Sequence, residues 1–388
     1  MIMIAVAILI SMVLCLLLGV PYIDFLKKKT IGQYILDVAP EAHAKKAGTP
    51  TTGGVFIIAA IIISSIITLF MAEKMDNSAL IILITLFFMA LAGFQDDYLK
   101  IKGHENRGLS PRGKLLRQIL IALIPTFYAM QNYGTVLTLG SYSFDIGVLY
   151  PILAVFVITG ASNAYNLTDG LDGLADGISM IFFITIGVLA FIMHNLGSLE
   201  ITIAFIMIGA CLGFLIFNFN PAKIFMGEIG SMFLGFMIAV VCLLGFKAVT
   251  LTSLVVPMLI LAIPILDTLF AILRRIIHHK PIYEADRQHL HHQLLNKKFS
   301  QKTTVLIIYA VSILFSSASV FYVLKDKKIG AIIYIILVLL ITWVVLTTNI
   351  VTDNAKLNLK KIHFPVKKKD GVKKKTLNKK KKVNKVKK

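Results

Sequence analysis

The sequence is short of acid, of charge overall and of the residues that staple soluble domains. Only 15% of its 388 residues are charged and only 20 are Asp or Glu, while 57% are hydrophobic. A soluble globular domain is nearer half apolar and a quarter charged, so that class is excluded. Three cysteines, Cys15, Cys211 and Cys242, all lie inside apolar runs. They are too few and too scattered for a disulfide scaffold, a CxxC redox pair or a cysteine-rich zinc site. No basic stretch precedes the first apolar run, which opens Met1-Ile2-Met3-Ile4; it reads as a first membrane span and not as a cleaved leader.

Apolar length is what the chain has in quantity. A helix needs about 20 apolar residues to cross roughly 30 Å of hydrocarbon. Eleven such windows occur, near 2–20, 52–72, 79–94, 115–132, 147–163, 175–195, 199–217, 229–247, 253–273, 303–323 and 329–348. Backbone polar groups in lipid must pair within their own segment, so an all-α polytopic membrane protein is expected. The 40 Lys and Arg leave a net charge of +20, and the stretch from Lys356 to Lys388 alone holds 16 Lys and one Asp. Residues 1–350 are therefore expected to form the membrane domain, and 351–388 a disordered cationic tail. Such a tail suits anionic cytoplasmic lipid better than nucleic acid. The Lys/Arg bias of the loops places the N-terminus outside and the tail in the cytoplasm; Lys325, Lys327 and Lys328 run against it.

Unusual polar residues gather at the predicted cytoplasmic ends of the spans. A transporter would place ionisable groups near mid-span, with broken helices and internal repeats; the one-sided pattern suits an enzyme at the interface better. Four constellations stand out. Asp96-Asp97-Tyr98-Leu99-Lys100 leaves the third span, where adjacent carboxylates are costly unless they bind a cation or move a proton. In Asn163-Ala164-Tyr165-Asn166-Leu167-Thr168-Asp169-Gly170-Leu171-Asp172-Gly173-Leu174, a helical reading puts Asn163, Asn166, Asp169 and Asp172 on one face, with glycines that let backbone approach a ligand. The stretch from Asn218 through Phe225 to Gly227-Glu228-Ile229-Gly230-Ser231 feeds a helix N-terminus, which favours phosphate; Phe225 is a candidate to stack on a base, although a lone Phe near a membrane is more often plain packing. His289-Leu290-His291-His292 follows Asp286 and Arg287, and without nearby Cys it reads as phosphate donors and not as a zinc site. A weaker phosphate-binding turn is expected at Lys46-Ala47-Gly48-Thr49-Pro50-Thr51-Thr52-Gly53-Gly54. Arg112, Lys114 and Arg117 fit either a lipid phosphate or the charge rule.

Together these motifs resemble the polyprenyl-phosphate N-acetylhexosamine-1-phosphate transferases, from about residue 40 to residue 325. The resemblance implies transfer of a sugar 1-phosphate from a UDP-N-acetylhexosamine to undecaprenyl phosphate on the cytoplasmic leaflet of a bacterial membrane, with release of UMP. It implies catalytic roles for Asp96, Asp97, Lys100, Asp169 and Asp172, and Mg²⁺ held by Asp96, Asp97 and Glu228. Substrate contacts would come from Lys46, Thr49, Asn163, Asn166, Asn218, Phe225, His289, His291 and His292; related transferases are often dimeric, so a homodimer is one expectation, with oligomeric state left open by the sequence. Glu228 stands where the family usually has Asp, one methylene shorter. Lys46 to Gly54 and Ser162-Asn163-Ala164 resemble the branch that uses UDP-MurNAc-pentapeptide, although that branch usually has Met at position 52. Ile265-Leu266-Asp267-Thr268 and Asp286 to His292 resemble the UDP-GlcNAc branch. The expectation gives the histidine loop more weight and so favours GlcNAc, with the pentapeptide donor as the alternative.

Overall fold

The computed structural model describes residues 2–29, 49–103, 108–139, 142–193, 198–248, 260–277, 279, 289–324 and 327–347. The expected tail, Lys46 and Asp286 with Arg287 lie outside the described residues. Twelve helices are described. They are α1 (Ile2–Lys28), α2 (Gly54–Met71), α3 (Asn77–Gly103), α4 (Pro111–Tyr133), α5 (Leu149–Thr168), α6 (Leu174–Ile192), α7 (Leu199–Asn218), α8 (Gly227–Ala248), α9 (Ala262–Ile277), α10 (Leu290–Asn296), α11 (Gln301–Leu324) and α12 (Lys327–Thr347).

Each of the eleven apolar windows falls on a helix, the ninth beginning before the described part of α9. Seven helices, α1, α2, α3, α6, α7, α8 and α11, are long and apolar enough to cross a membrane by length and composition. The interiors of α4 and α5 carry Arg117, Gln118, Asn163 and Asn166, which lower their hydropathy. One departure from an all-helical chain is a short antiparallel hairpin between α4 and α5. Its strands are β1 (Val136–Leu139) and β2 (Tyr142–Asp145), with Val136 opposite Asp145 and Leu139 opposite Tyr142. Four-residue runs are too short to register as a period, yet Val136, Thr138, Tyr142 and Phe144 are residue types that suit a strand pair.

The centre of the bundle is α8. Of its apolar span 89% is buried, against 22% for α1, and it packs on α3, α5 and α2. Phe233, Leu234, Phe236, Met237 and Ile238 are wholly inaccessible there. At the edge, α1 buries Ala7, Ser11, Cys15, Gly19 and Ile23, one residue per four. This stripe of mostly small side chains meets Gly209 and Gly213 of α7, where a Cβ on Gly209 would lie 2.1 Å from the Ile8 carbonyl oxygen and one on Gly213 2.8 Å from Cys15 Cβ. In lipid, helices associate by such close backbone approach and not by hydrophobic exclusion. Helix starts follow their local signals: the Ser110 hydroxyl accepts from the Gly113 N–H at 3.2 Å ahead of Pro111, an N-cap followed by proline in the first turn.

Replacing Gly209 by Val is expected to cost about 1–3 kcal/mol by overpacking and to lower the thermal unfolding midpoint of the detergent-solubilised protein. Gly160→Ala, where nothing lies within 4 Å of an added Cβ, should leave the midpoint unchanged or raise it.

Candidate functional site

Three carboxylates and two ammonium groups meet where the end of α3 faces the start of α8. Asp96 is buried, its side chain 1% exposed, with Oδ2 2.9 Å from Lys100 Nζ and 3.3 Å from Lys114 Nζ. Its other oxygen accepts from the Leu109 N–H at 2.7 Å. The Glu228 carboxylate pairs with the same two ammonium groups, one oxygen on Lys100 and the other on Lys114. A buried carboxylate is tolerable only when paired in this way. Lys114 thus pairs with two carboxylates of this cluster, which is more than a cation that only obeys the charge rule would do.

Asp97 does something else. Its Oδ1 accepts from the Glu228 N–H at 3.2 Å and its Oδ2 from the Ile229 N–H at 3.0 Å. The first turn of α8, expected to receive a phosphate, already holds this carboxylate, which satisfies otherwise unpaired donors and complements the helix dipole. The backbone conformation is specific: Gly227 has φ +76, and a Cβ there would lie 2.6 Å from Asp97 Oδ2. The glycine turn at 53–54 is likewise occupied. The Gly53 N–H donates to the Phe225 carbonyl at 2.9 Å, the Gly54 N–H to the Met226 carbonyl at 2.7 Å, and the Phe225 N–H to the Pro50 carbonyl at 2.8 Å. These N–H groups join two segments of the protein and are not donors held open for an anion.

The Asn163 to Asp172 face is divided among different partners. Helix α5 stops at Thr168, Asp169 leaves helical conformation with φ −74 and ψ 59, and Gly173 with φ +79 begins α6. The one-face reading therefore does not extend past Asn166, because the two glycines release the helix. Asn163 Nδ2 donates to Gln118 Oε1 at 2.7 Å, and Gln118 Nε2 donates to Ser162 Oγ at 3.1 Å. Ser162 Oγ donates to the Met232 carbonyl at 2.9 Å, and Asn166 Nδ2 to Ser231 Oγ at 2.9 Å. Asp172 Oδ2 accepts from Asn220 Nδ2 at 3.0 Å and from the Ala222 N–H at 3.3 Å. Asn218 accepts from the Gly173 N–H at 2.8 Å and donates to the Ile224 carbonyl at 2.9 Å. Asp172 and Asn218 thereby fasten the 169–173 loop to the 218–226 loop, while Asp169 remains half-buried at the end of α5.

The histidines approach from another direction. A Cβ on Gly170 would lie 2.2 Å from His291 Nε2, so this ring covers the glycine loop. The His289 and His291 rings are parallel, 5.8 Å apart, and the His291 and His292 centroids are 4.2 Å apart. Residues 289–292, 166–173 and the starts of α4 and α8 thus form one polar end of the bundle. Among the described residues Thr49 shows no link to the carboxylates, and Phe225 takes part through its backbone. Sequence reasoning misses Gln118, which the structure buries completely; the one signal for it is an amide directly before the apolar run 119–124.

Among the described residues, no group of three His, Cys, Asp or Glu is arranged to hold a metal ion by itself. The expected Mg²⁺ set of Asp96, Asp97 and Glu228 is therefore not brought together as one metal site; Asp96 and Glu228 pair with Lys100 and Lys114. Asp96 and Glu228 are the hard oxygen donors of the cluster; both oxygens of Asp97 are engaged by α8. Gly227→Ala should force Asp97 off the α8 N–H groups. The expected loss is about 1–3 kcal/mol from the left-handed backbone and the displaced cap, read as a lower thermal midpoint.

Residues 79–246 match glycosyl transferase family 4. The phospho-N-acetylmuramoyl-pentapeptide-transferase of Bacillus licheniformis is 36% identical over 330 residues, covering 81% of this chain and 96% of the relative. That of Bacillus subtilis is 36% identical over 325 residues with the same coverage. The probable undecaprenyl-phosphate N-acetylglucosaminyl 1-phosphate transferase of Bacillus subtilis is 39% identical over 256 residues, 66% of this chain and 68% of the relative.

Proposed function

The chain belongs to glycosyl transferase family 4, as a polyprenyl-phosphate sugar-1-phosphate transferase, and from that premise we propose that it moves phospho-N-acetylmuramoyl-pentapeptide from UDP to undecaprenyl phosphate. The observation that supports the reaction is the pairing of Lys100 and Lys114 with Asp96 and Glu228, beside the loop that His291 covers. Both reactants are anionic, so their mutual repulsion is the first barrier. Two preplaced ammonium groups in a partly desolvated pocket are suited to receive phosphate oxygens and to stabilise the charge passing to UMP.

In this reading a lipid-phosphate oxygen attacks the sugar-bearing phosphorus and UMP leaves. No covalent enzyme intermediate is needed, and positioning with electrostatics supplies most of the acceleration. Either Asp96 or Asp97 would take the proton of the lipid phosphate; a monoester with a second pKa of about 6 asks for little basicity. Asp97 also acts by fixing α8, and Asp172 by fixing the loop below the nucleotide-sugar, whose contacts fall to Asn163, Asn166, Asp169 and the histidines. Mg²⁺, held by Asp96 and Glu228, would neutralise charge on the diphosphate. The reaction would run at the cytoplasmic face of the membrane, with the Lys-rich tail on anionic lipid.

The donor assignment reverses the expectation drawn from the histidine loop. Its support is that the pentapeptide transferases are similar over 96% of their own length, while the N-acetylglucosaminyl relative matches over 68%. The GlcNAc reading keeps one specific observation in its favour: Leu290 interrupts the histidine run.

The test is UMP release by the purified protein with undecaprenyl phosphate and each UDP-sugar in turn. Faster release from UDP-MurNAc-pentapeptide is expected; release from UDP-GlcNAc alone would reinstate the other donor, and release from neither would sink the proposal. Lys114→Met should lower kcat by about 100-fold or more if the ammonium serves developing charge. Removing everything after Val351 should weaken binding to vesicles of anionic lipid at low salt, by up to about 1 kcal/mol per Lys lost from the surface.

A further inference from the structure

In the sequence Asp267 enters only through Ile265-Leu266-Asp267-Thr268, a stretch that resembles the UDP-GlcNAc branch. In the structure it lies on α9 and spends both carboxylate oxygens on the histidine segment. Its Oδ2 is 2.9 Å from His289 Nδ1, and its Oδ1 accepts from the Leu290 N–H at 2.8 Å. The pair is almost dry, with side-chain exposures of 5% for His289 and 11% for Asp267.

A carboxylate bound to one ring nitrogen of an imidazole decides three things at once. It holds the proton on that nitrogen, fixes the plane of the ring, and leaves the opposite nitrogen as the one offered to a ligand. Here Nδ1 is the nitrogen held, so Nε2 is the one offered. The fixed plane is shared with the next functional ring, because His289 and His291 stack with an interplanar angle of 1°, and His291 in turn lies over Gly170. A line of contact therefore runs from α9 through His289 and His291 to the 169–173 loop. Asp267 is 22 residues from His289 in sequence, so a helix separate from the histidine segment determines the orientation.

We propose that Asp267 is a positioning residue for the transfer reaction, holding His289 by Nδ1 so that Nε2 is presented to a phosphate oxygen of the substrates. This rests on the transferase reading above and assigns a role to a residue that reading leaves without one. The bond to the Leu290 N–H belongs to the same device, since it holds the backbone on which the His289 ring turns.

The experiment is a double-mutant cycle on the full-length protein, reading kcat and KM for the UDP-sugar it uses, with thermal midpoints to verify folding. Asp267→Asn keeps the shape but can no longer accept from both His289 and Leu290. It is expected to lower kcat about 10–100-fold with KM changed less than about threefold, a split that general loosening of the site would not give. His289→Ala should lower kcat at least as far, and adding Asp267→Asn to it should cost less than about twofold more, because the residue it acts through is gone. An unchanged kcat in Asp267→Asn overturns the proposal. So does the full 10–100-fold loss from Asp267→Asn in the His289→Ala background, which would make Asp267 a structural prop acting elsewhere. Should Asp267→Asn not fold, Asp267→Ser takes its place in the cycle with the same expectations. If His289→Ala itself transfers normally, the fault lies in the role given to the histidines under the proposed function, and this result separates the two failures.

Discussion

The polar end of the bundle depends on one carboxylate accepting two backbone N–H groups. Asp97, at the end of α3, binds the N–H groups of Glu228 and Ile229 in the first turn of α8. Water is scarce there, so these donors would otherwise be costly to bury. The bond also fixes the rotation of α8 about its axis. That rotation puts the Glu228 carboxylate on Lys100 and Lys114, Ser231 under Asn166 and the Met232 carbonyl under Ser162. A site made in this way stands on helix ends, which hold position better than free loops do.

Much of this was legible in the sequence, and what was not has a common physical cause. Apolar length located the helices because crossing lipid needs a fixed number of residues. Carboxylates, amides and histidines in places where burial is expensive marked the polar end correctly. The errors concerned partners. Gly53, Gly54 and the start of α8 read as sites open to an anion, yet their N–H groups are taken by the carbonyls of Phe225 and Met226 and by Asp97. Sequence spacing shows that donors exist and says nothing of what lies across from them. Lys114 was ambiguous for a related reason: a cation that serves the site and one that obeys the charge rule look alike until Glu228 is placed beside it.

The same logic explains why the chain can carry features of two branches of its family. The segment from Pro50 to Gly54 is held to residues 225–226 by main-chain bonds. Thr52 adds a contact from its hydroxyl to that of Tyr22 at 3.0 Å. The main-chain bonds of this junction are made by residues 50, 53, 54, 225 and 226 and not by residue 52, so the junction forms with a Thr in place of Met. The histidine segment is anchored separately, by Asp267. Two segments with independent anchors are free to diverge at different rates, and similarity in one is weak evidence about the other.

The contact between α1 and α7 has a bearing on how the protein is made. Ser11, Cys15 and Gly19 of α1 are shaped for a helix that begins at Leu199, so the first helix leaves the ribosome long before its main partner exists. At about 5–20 residues per second, the interval is roughly 10–40 s. During that time the small-residue stripe has only lipid and the earlier helices to rest against. A stripe of mostly small groups is a poor template for wrong partners that lack matching glycines, and this close crossing is therefore also one that can wait.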